Sequence, residues 1–259
     1  MNARPRAGSP VPFLVLSLGR SGSNLLATGL AQHPAVSMAG ELFVDGEAER
    51  REVGRTAAGA WYRDGRDAGA FLREEVYGAR YPDHVAAVGF RLFYYHARRT
   101  PLQRRLWAEL QRRDDVRLIR LVRRNLFAVR LSVLEGEIRG QWVMGADSAE
   151  ETREIPPLHV SPEQCELFFR LVRGDGIWTG HLFRRHQTLE VDYDSDLCGR
   201  YRETMHRLQD FLDVPRRHAV PVLKKIRRGT LRQRVANLDE LREYFRGSQW
   251  EAWFADDDA

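Results

Sequence analysis

The residues best suited to chemistry in this chain lie together in Gly19-Arg20-Ser21-Gly22-Ser23-Asn24. Glycines permit backbone conformations that a side chain forbids, so such a turn can aim several N–H groups at one anion. Arg20 adds a formal charge, and the hydroxyls of Ser21 and Ser23 add donors. Phe13 to Leu18, just before the turn, is an apolar run of strand length. Leu25, Leu26, Thr28, Gly29 and Leu30 then recur with a helix-like period. Strand, tight turn and helix together make a phosphate-binding unit, with the positive end of the helix dipole facing the anion. A turn that merely joins strand to helix is the plainer reading of the glycines alone. The arginine and two hydroxyls favour the anion. The loop of nucleoside triphosphate enzymes, G-x-x-x-x-G-K-[ST], is different. Here the loop is shorter and has no Lys before a Ser/Thr, so it lacks the magnesium hydroxyl. That suits a ligand that is not a phosphoryl donor.

Further candidates follow along the chain. Glu41 comes just after the expected second strand, Ala35 to Met38. In a parallel sheet that is the edge where ligands collect; a lone surface carboxylate is the alternative. Arg91 sits inside the apolar run Ala86 to Phe93 and needs an anion or a carboxylate partner there. Tyr94-Tyr95-His96 follow, and His96 is either a second acid/base group or a packing histidine. Val116 to Val122 reads as another strand, ending at Arg123-Arg124-Asn125. Asn125 is a good helix N-cap, with Leu126, Val129 and Val133 as the inward stripe. Ser132 lies close to two turns further on, on the same face as the helix start. Two arginines and a serine can therefore converge on a second anion.

The elements that must position these residues alternate between strand and helix. Pro101 to Arg113 is a helix capped by Thr100. A second helix starts at Ser161-Pro162-Glu163, with Leu167, Leu171, Trp178 and Leu182 on one face. Gln187 to Tyr193 is a strand, and Tyr201, Met205, Leu208, Phe211 and Leu212 mark an amphipathic helix. Residues 46–80 hold two helices or a helix and a loop, and this stretch is a candidate lining for a substrate cleft. Asn237 caps a last helix through Phe245, packed down by Trp250, Trp253 and Phe254. The expected fold is α/β: three layers, P-loop-like, with a mostly parallel central sheet flanked by helices. Residues 1–11 form a flexible tail and 12–259 a single domain.

Of 259 residues, 43% are apolar, enough for a sizeable core. The 41 basic residues, nearly all Arg, exceed the 36 acidic by five. Arg forks suit phosphate and sulfate, although the bias also arises in GC-rich genomes. No apolar run is long enough to span a membrane, and the N-terminus lacks a signal-peptide core. Cys165 and Cys198 make neither a metal spacing nor a disulfide framework. The expected location is the cytoplasm, and nothing in the sequence sets an oligomeric state.

Taken in order, the Gly19–Asn24 loop, the Arg-Arg-Asn…Ser segment and the basic glycine segment near the C-terminus resemble sulfotransferases. These use 3′-phosphoadenosine-5′-phosphosulfate. Closest are the bacterial carbohydrate enzymes of the nodulation-factor and trehalose type. Weaker echoes are Gly89-Phe90-Arg91, Gly140-Gln141-Trp142, Val191-Asp192-Tyr193-Asp194 and Ala236-Asn237. The resemblance implies that Gly19, Arg20, Ser21, Gly22, Ser23 and Asn24 hold the 5′-phosphosulfate. It implies that Arg123 or Arg124, nine and eight residues before Ser132, holds the 3′-phosphate with that serine. Arg227-Arg228-Gly229 resembles the loop that closes over the 3′-phosphate and adenine. Glu41 matches the catalytic carboxylate of the trehalose-type enzymes, where many sulfotransferases use a histidine, here His96. Arg20 replaces the loop lysine of the animal enzymes. Arg91, His96 and Trp142 fall on the acceptor side.

The implied reaction moves SO₃ in line from a phosphate oxygen to an acceptor hydroxyl, that of a carbohydrate or glycolipid. Glu41 takes the proton, Arg20 and the loop N–H groups meet the charge on the leaving nucleotide, and no metal is required. A secondary-metabolite hydroxyl or an amine is the competing acceptor. A small-molecule kinase would need a magnesium ligand and a loop lysine, and neither is found. A nucleic-acid-binding protein would interleave aromatics with its basic runs. Residues 98–113 and 216–234 contain only Trp107, so nucleic acid is not an expected partner.

Overall fold

The structure, a computed structural model, describes residues 9–44, 62–63, 65–140, 142, 145, 154–223 and 229–255. Trp61, Gln141, Arg227 and Arg228 lie outside these residues, as do 1–8. Contacts separate the chain into two units, Met1–Val122 with Trp178–Pro221, and Arg123–Ile177 with Val222–Ala259.

The first unit is built on five parallel strands, β1 (Val11–Ser17), β2 (Val36–Glu41), β3 (Ala87–Phe93), β4 (Arg117–Val122) and β5 (Thr188–Asp192). Their order is β2-β3-β1-β4-β5. Apolar residues fill β1 and β3 because parallel strands are covered on both faces. Alternation along β1 sends side chains to two layers. Phe13 and Val15 pack with Leu26 and Leu30 of α1 (Ser23–Ala31). Leu14 and Leu16 pack with Phe71 of the short helix α2 (Ala68–Phe71) and with Leu106 and Leu110 of α3 (Pro101–Arg112). The expected three-layer α/β architecture is therefore present in this unit.

Strand β1 starts at Val11, earlier than its apolar run suggests, because Val11 N–H already donates to Ala86 C=O. Among the described residues of 46–80, α2 passes directly into a π-helical turn, Leu72–Val76. Tyr62, Phe71, Leu72 and Val76 are all buried in the core. The two helix caps read in the sequence at Thr100 and Asn125 are both made, with Thr100 closing a capping box with Gln103.

In the second unit, α4 (Leu126–Arg139), most of α5 (Pro162–Leu182), α7 (Leu231–Arg234) and α8 (Leu238–Phe245) enclose their own core. The intervening α6 (Tyr201–Phe211) belongs to the first unit. Phe245 stacks on Phe254 at 4.6 Å, and Phe169 meets Phe245, Trp250 and Trp253. Two stripes differ from expectation. On α4 the fully buried positions are Phe127, Val129 and Leu131 rather than Leu126 and Val133. On α5, Leu167 and Leu171 are 59% and 60% exposed, and the buried pair is Cys165 and Phe169. A two-residue offset on a helix is a rotation of about 200°, so the core takes the opposite face. Asn237 stands at the start of α8 but makes no side-chain cap. Its amide instead accepts from Val160 N–H and donates to Val160 C=O, both at 2.9 Å. A buried ion pair crosses this core: Arg234 donates from Nε and Nη2 to Glu135 at 2.8 and 2.9 Å.

Candidate active site

The turn after β1 begins where the sheet changes winding direction. The chain leaves β1 through α1 on one face for β2, and leaves β3 through α3 on the other face for β4. β1 and β3 are neighbours, so their carboxyl ends border the crevice where open α/β sheets bind ligands.

Backbone geometry curls the turn. Arg20 has φ 65° and Gly22 φ 90°. Arginine pays for the left-handed region and glycine does not. Gly22 is required for a second reason, because a Cβ there would stand 2.3 Å from the ring of Tyr193. Ser21 is buried, and its hydroxyl donates to Leu18 C=O at 2.6 Å, bracing the turn from within. That hydroxyl, expected as a donor to the anion, is here spent on the loop itself. Ser23, also buried, opens α1, whose N-cap Gly22 makes no side-chain cap. The N–H groups of this first turn point along the helix axis beyond its start.

Glu41 ends β2 and meets Arg91. β2 pairs with β3 regularly as far as Met38, opposite Gly89; the next pair is Glu41 with Arg91. Three steps on β2 match two on β3, so β2 carries one extra residue, a bulge of the kind that re-aims a side chain. Regular pairing would have set Gly40 opposite Arg91. Arg91 Nη2 lies 3.1 Å from Glu41 Oε1, and Nη1 donates to Asn24 Oδ1 at the start of α1. Arg91 is only 7% exposed. Burial draws its guanidinium below the usual arginine range, and the Glu41 charge pushes it back up. Its Nε is buried with no hydrogen-bond partner. The sequence left Arg91 between an anion and a carboxylate; the carboxylate is present.

His96 is buried, 4.8 Å from the Phe93 ring and 4.9 Å from that of Tyr95. Its Nδ1 accepts from Phe93 N–H at 3.3 Å. Burial first, and the Arg91 charge second, pull its pKa down to about 4. The neutral ring is thus the folded form, and stability is expected to fall as pH drops from the unfolded value near 6.5 towards 4. The loss is on the order of 3 kcal/mol. Urea midpoints measured between pH 4 and 7 check this: His96→Gln should lack that part of the slope.

In the second unit, Arg123 is half-buried and Arg124 exposed, directly before the capping Asn125, whose Oδ1 accepts from Ala128 N–H at 2.8 Å. Ser132 is partly buried two turns along α4. Trp142 lies against Gly136 of the same helix and is half-exposed. Gly229, with φ 83°, precedes the Thr230–Gln233 capping box of α7. The structure thus brings Asn24, Glu41 and Arg91 together in the first unit. Tyr95, two residues past the end of β3, also stands at this edge of the sheet. In the sequence its signal is a tyrosine just past a strand end at the switch point. Among the described residues no group of three or more His, Cys, Asp or Glu could hold a metal ion, and no helix is long and apolar enough to cross a membrane.

The first unit is thus an all-parallel α/β fold whose first strand leads into a glycine-containing turn without the Lys-Ser/Thr of triphosphate loops, with a carboxylate–guanidinium pair beside it. The chain is 25% identical over 256 residues to nodulation protein H of Rhizobium tropici, covering 97% of this chain and 96% of that protein. A crystal structure of a sulfotransferase from Alicyclobacillus acidocaldarius is 14% identical, covering 94% of this chain and 99% of that one, with a TM-score of 0.46. No family model matches the chain. The resemblance to bacterial sulfotransferases of the nodulation type, read from the motifs, holds at the level of the whole chain.

Proposed function

We propose that this protein is a sulfotransferase that moves a sulfuryl group from 3′-phosphoadenosine-5′-phosphosulfate to an acceptor hydroxyl of a carbohydrate or glycolipid. The observation that carries the reading is the Glu41–Arg91–Asn24 chain of contacts at the end of the anion turn. It ties a candidate base to the element that would receive the donor. The turn fits a sulfated phosphate, having two left-handed residues, an uncapped helix start and a cationic residue. The buried Nε of Arg91 is a further N–H available to an anionic or hydroxyl oxygen.

The donor supplies the sulfuryl group. The Glu41 carboxylate accepts the proton of the attacking hydroxyl. Arg91 holds that carboxylate in place, and Asn24 fixes Arg91. Arg20 and the turn N–H groups stabilise charge on the departing phosphate oxygen. No protein-bound metal has a part in these steps. His96 supports the wall rather than the chemistry, since a pKa of about 4 makes it a weak base. For the second unit, the proposal taken from the resemblance is that Arg123 or Arg124, with Ser132, binds a 3′-phosphate. Gly229, with Arg227 and Arg228, belongs to the loop that closes over it, and Trp142 contacts the acceptor. The protein acts in the cytoplasm.

Nucleotide protection tests this reading. Adenosine 3′,5′-bisphosphate is expected to raise the melting temperature, whereas ATP with magnesium protecting instead would indicate a kinase. Arg123→Ala, Arg124→Ala or Ser132→Ala should weaken binding of adenosine 3′,5′-bisphosphate by roughly tenfold or more, the worth of a charge-assisted contact. Binding of adenosine 5′-phosphate should change little. Equal loss for both nucleotides would show that the segment does not read the 3′-phosphate.

A further inference from the structure

Tyr95 lies two residues past β3 and is 52% exposed, although its neighbours Tyr94 and His96 are buried. Its position is set from two sides. A Cβ on Gly19 would stand 2.9 Å from the Tyr95 hydroxyl, so the phenol tip rests on the first residue of the anion turn. The ring packs at 5.6 Å on Phe93 and edge-on at 4.9 Å against His96. Gly19 follows β1 and Tyr95 follows β3, so this contact crosses the switch point itself. An exposed aromatic is ordinarily unremarkable. This one is held against the turn that would receive the transferable group, with much of its surface left to solvent.

We infer that Tyr95 is a specificity-determining residue, the platform on which the acceptor's sugar ring lies. The inference rests on the sulfotransferase reading of the turn and adds which residue recognises the acceptor. A pyranose has a flat C–H face and a rim of hydroxyls. The flat face matches an aromatic surface fixed by packing, which loses little conformational entropy on binding. The rim needs hydrogen-bonding groups, and Glu41, Arg91 and Asn24 supply them at the same carboxyl edge of the sheet. A phenolic acceptor would use the platform but has no rim of hydroxyls to add to those polar groups. His96, whose ring meets the platform edge-on, is neutral above a pH of about 4.

The test uses Tyr95→Ala, Tyr95→Phe and Tyr95→Trp in the full chain, with cellotetraose and methyl β-glucoside as probes. Saturation-transfer NMR reads sugar binding without turnover. Wild type should show contact to the ring C–H protons, Tyr95→Ala should lose it, and Tyr95→Phe and Tyr95→Trp should keep it. With labelled donor, Tyr95→Ala should raise the acceptor KM tenfold or more while kcat changes less than threefold. Thermal protection by adenosine 3′,5′-bisphosphate should be unchanged in all three variants. Absence of that protection in the wild type would remove the sulfotransferase reading, while the NMR arm would still decide the platform. Unaltered sugar contact in Tyr95→Ala overturns the inference. So does a Tyr95→Phe variant that loses kcat at unchanged KM, since the hydroxyl would then act on the transferring group. Preference for a phenol such as p-nitrophenol over both sugars overturns the sugar assignment.

Discussion

Glu41→Gln is expected to lower turnover by roughly 10²–10⁴-fold, the contribution of a positioned general base, while leaving the affinity for adenosine 3′,5′-bisphosphate within about twofold. The substitution keeps volume and shape, so the β2 bulge and the Asn24 contact to Arg91 should survive. What it removes is the proton acceptor and the negative charge facing Arg91 at 3.1 Å. The two effects separate by rescue with Arg91→Lys or Arg91→Met in the Glu41→Gln background. If the loss came from an unpaired buried guanidinium, Arg91→Met would restore stability and part of the rate. If Glu41 is the base, nothing at position 91 restores the rate. Single-turnover measurements with labelled donor provide the check. Near-full turnover in Glu41→Gln, together with abolition in His96→Ala, would transfer the role to His96.

The largest stability effect is expected at the other unit's buried pair. Arg234→Ala leaves Glu135 in the core with only a longer contact in place of the two-pronged one, where both original partners are almost fully buried. Breaking such a pair typically costs about 3–5 kcal/mol. Arg139 also lies 3.5 Å from Glu135 but comes from the same helix and does not replace the two-pronged contact. The paired change Glu135→Leu with Arg234→Met should recover most of the loss, because two apolar groups of similar shape need no compensation. Urea unfolding of the single and double variants distinguishes this from a packing defect: a double variant as unstable as Arg234→Ala would mean the stems, not the charges, carry the effect.

Elements driven by local pattern were legible in the sequence. β1 and β3 are apolar runs, the latter interrupted by Arg91, and their inner places follow from burial on both faces. Thr100 and Asn125 cap helices because the side chain and the N–H it meets are three residues apart. Anything depending on partners distant in sequence was not legible. Cys165 and Phe169 on α5 bury, while Leu167 and Leu171 do not, because the partners Phe245, Trp250 and Phe254 approach from one side. Asn237 has the type and place of a cap, yet its amide goes to Val160, 77 residues away. At the site, the turn could be read from its residues and Glu41 from its strand end. Three features could not be read: the pairing of Glu41 with Arg91, the use of the Ser21 hydroxyl within the loop, and the approach of Tyr95 to Gly19. Each depends on neighbouring strands and their register.

The extra residue in β2 has a second consequence. Among the described residues, β2 is the first strand in the sheet order, paired on one side to β3. An outermost strand presents N–H and C=O groups in a row, and a foreign strand can add to such a row and propagate. The bulge between Met38 and Glu41 breaks the spacing of that row. A strand that pairs in step with Val36 to Met38 falls out of step by Glu41. The irregularity that sets the carboxylate opposite its guanidinium is therefore also of the kind that blunts edge-to-edge strand addition. A chain engineered to straighten this strand would gain regularity but lose both the Glu41–Arg91 pairing and the break in that row.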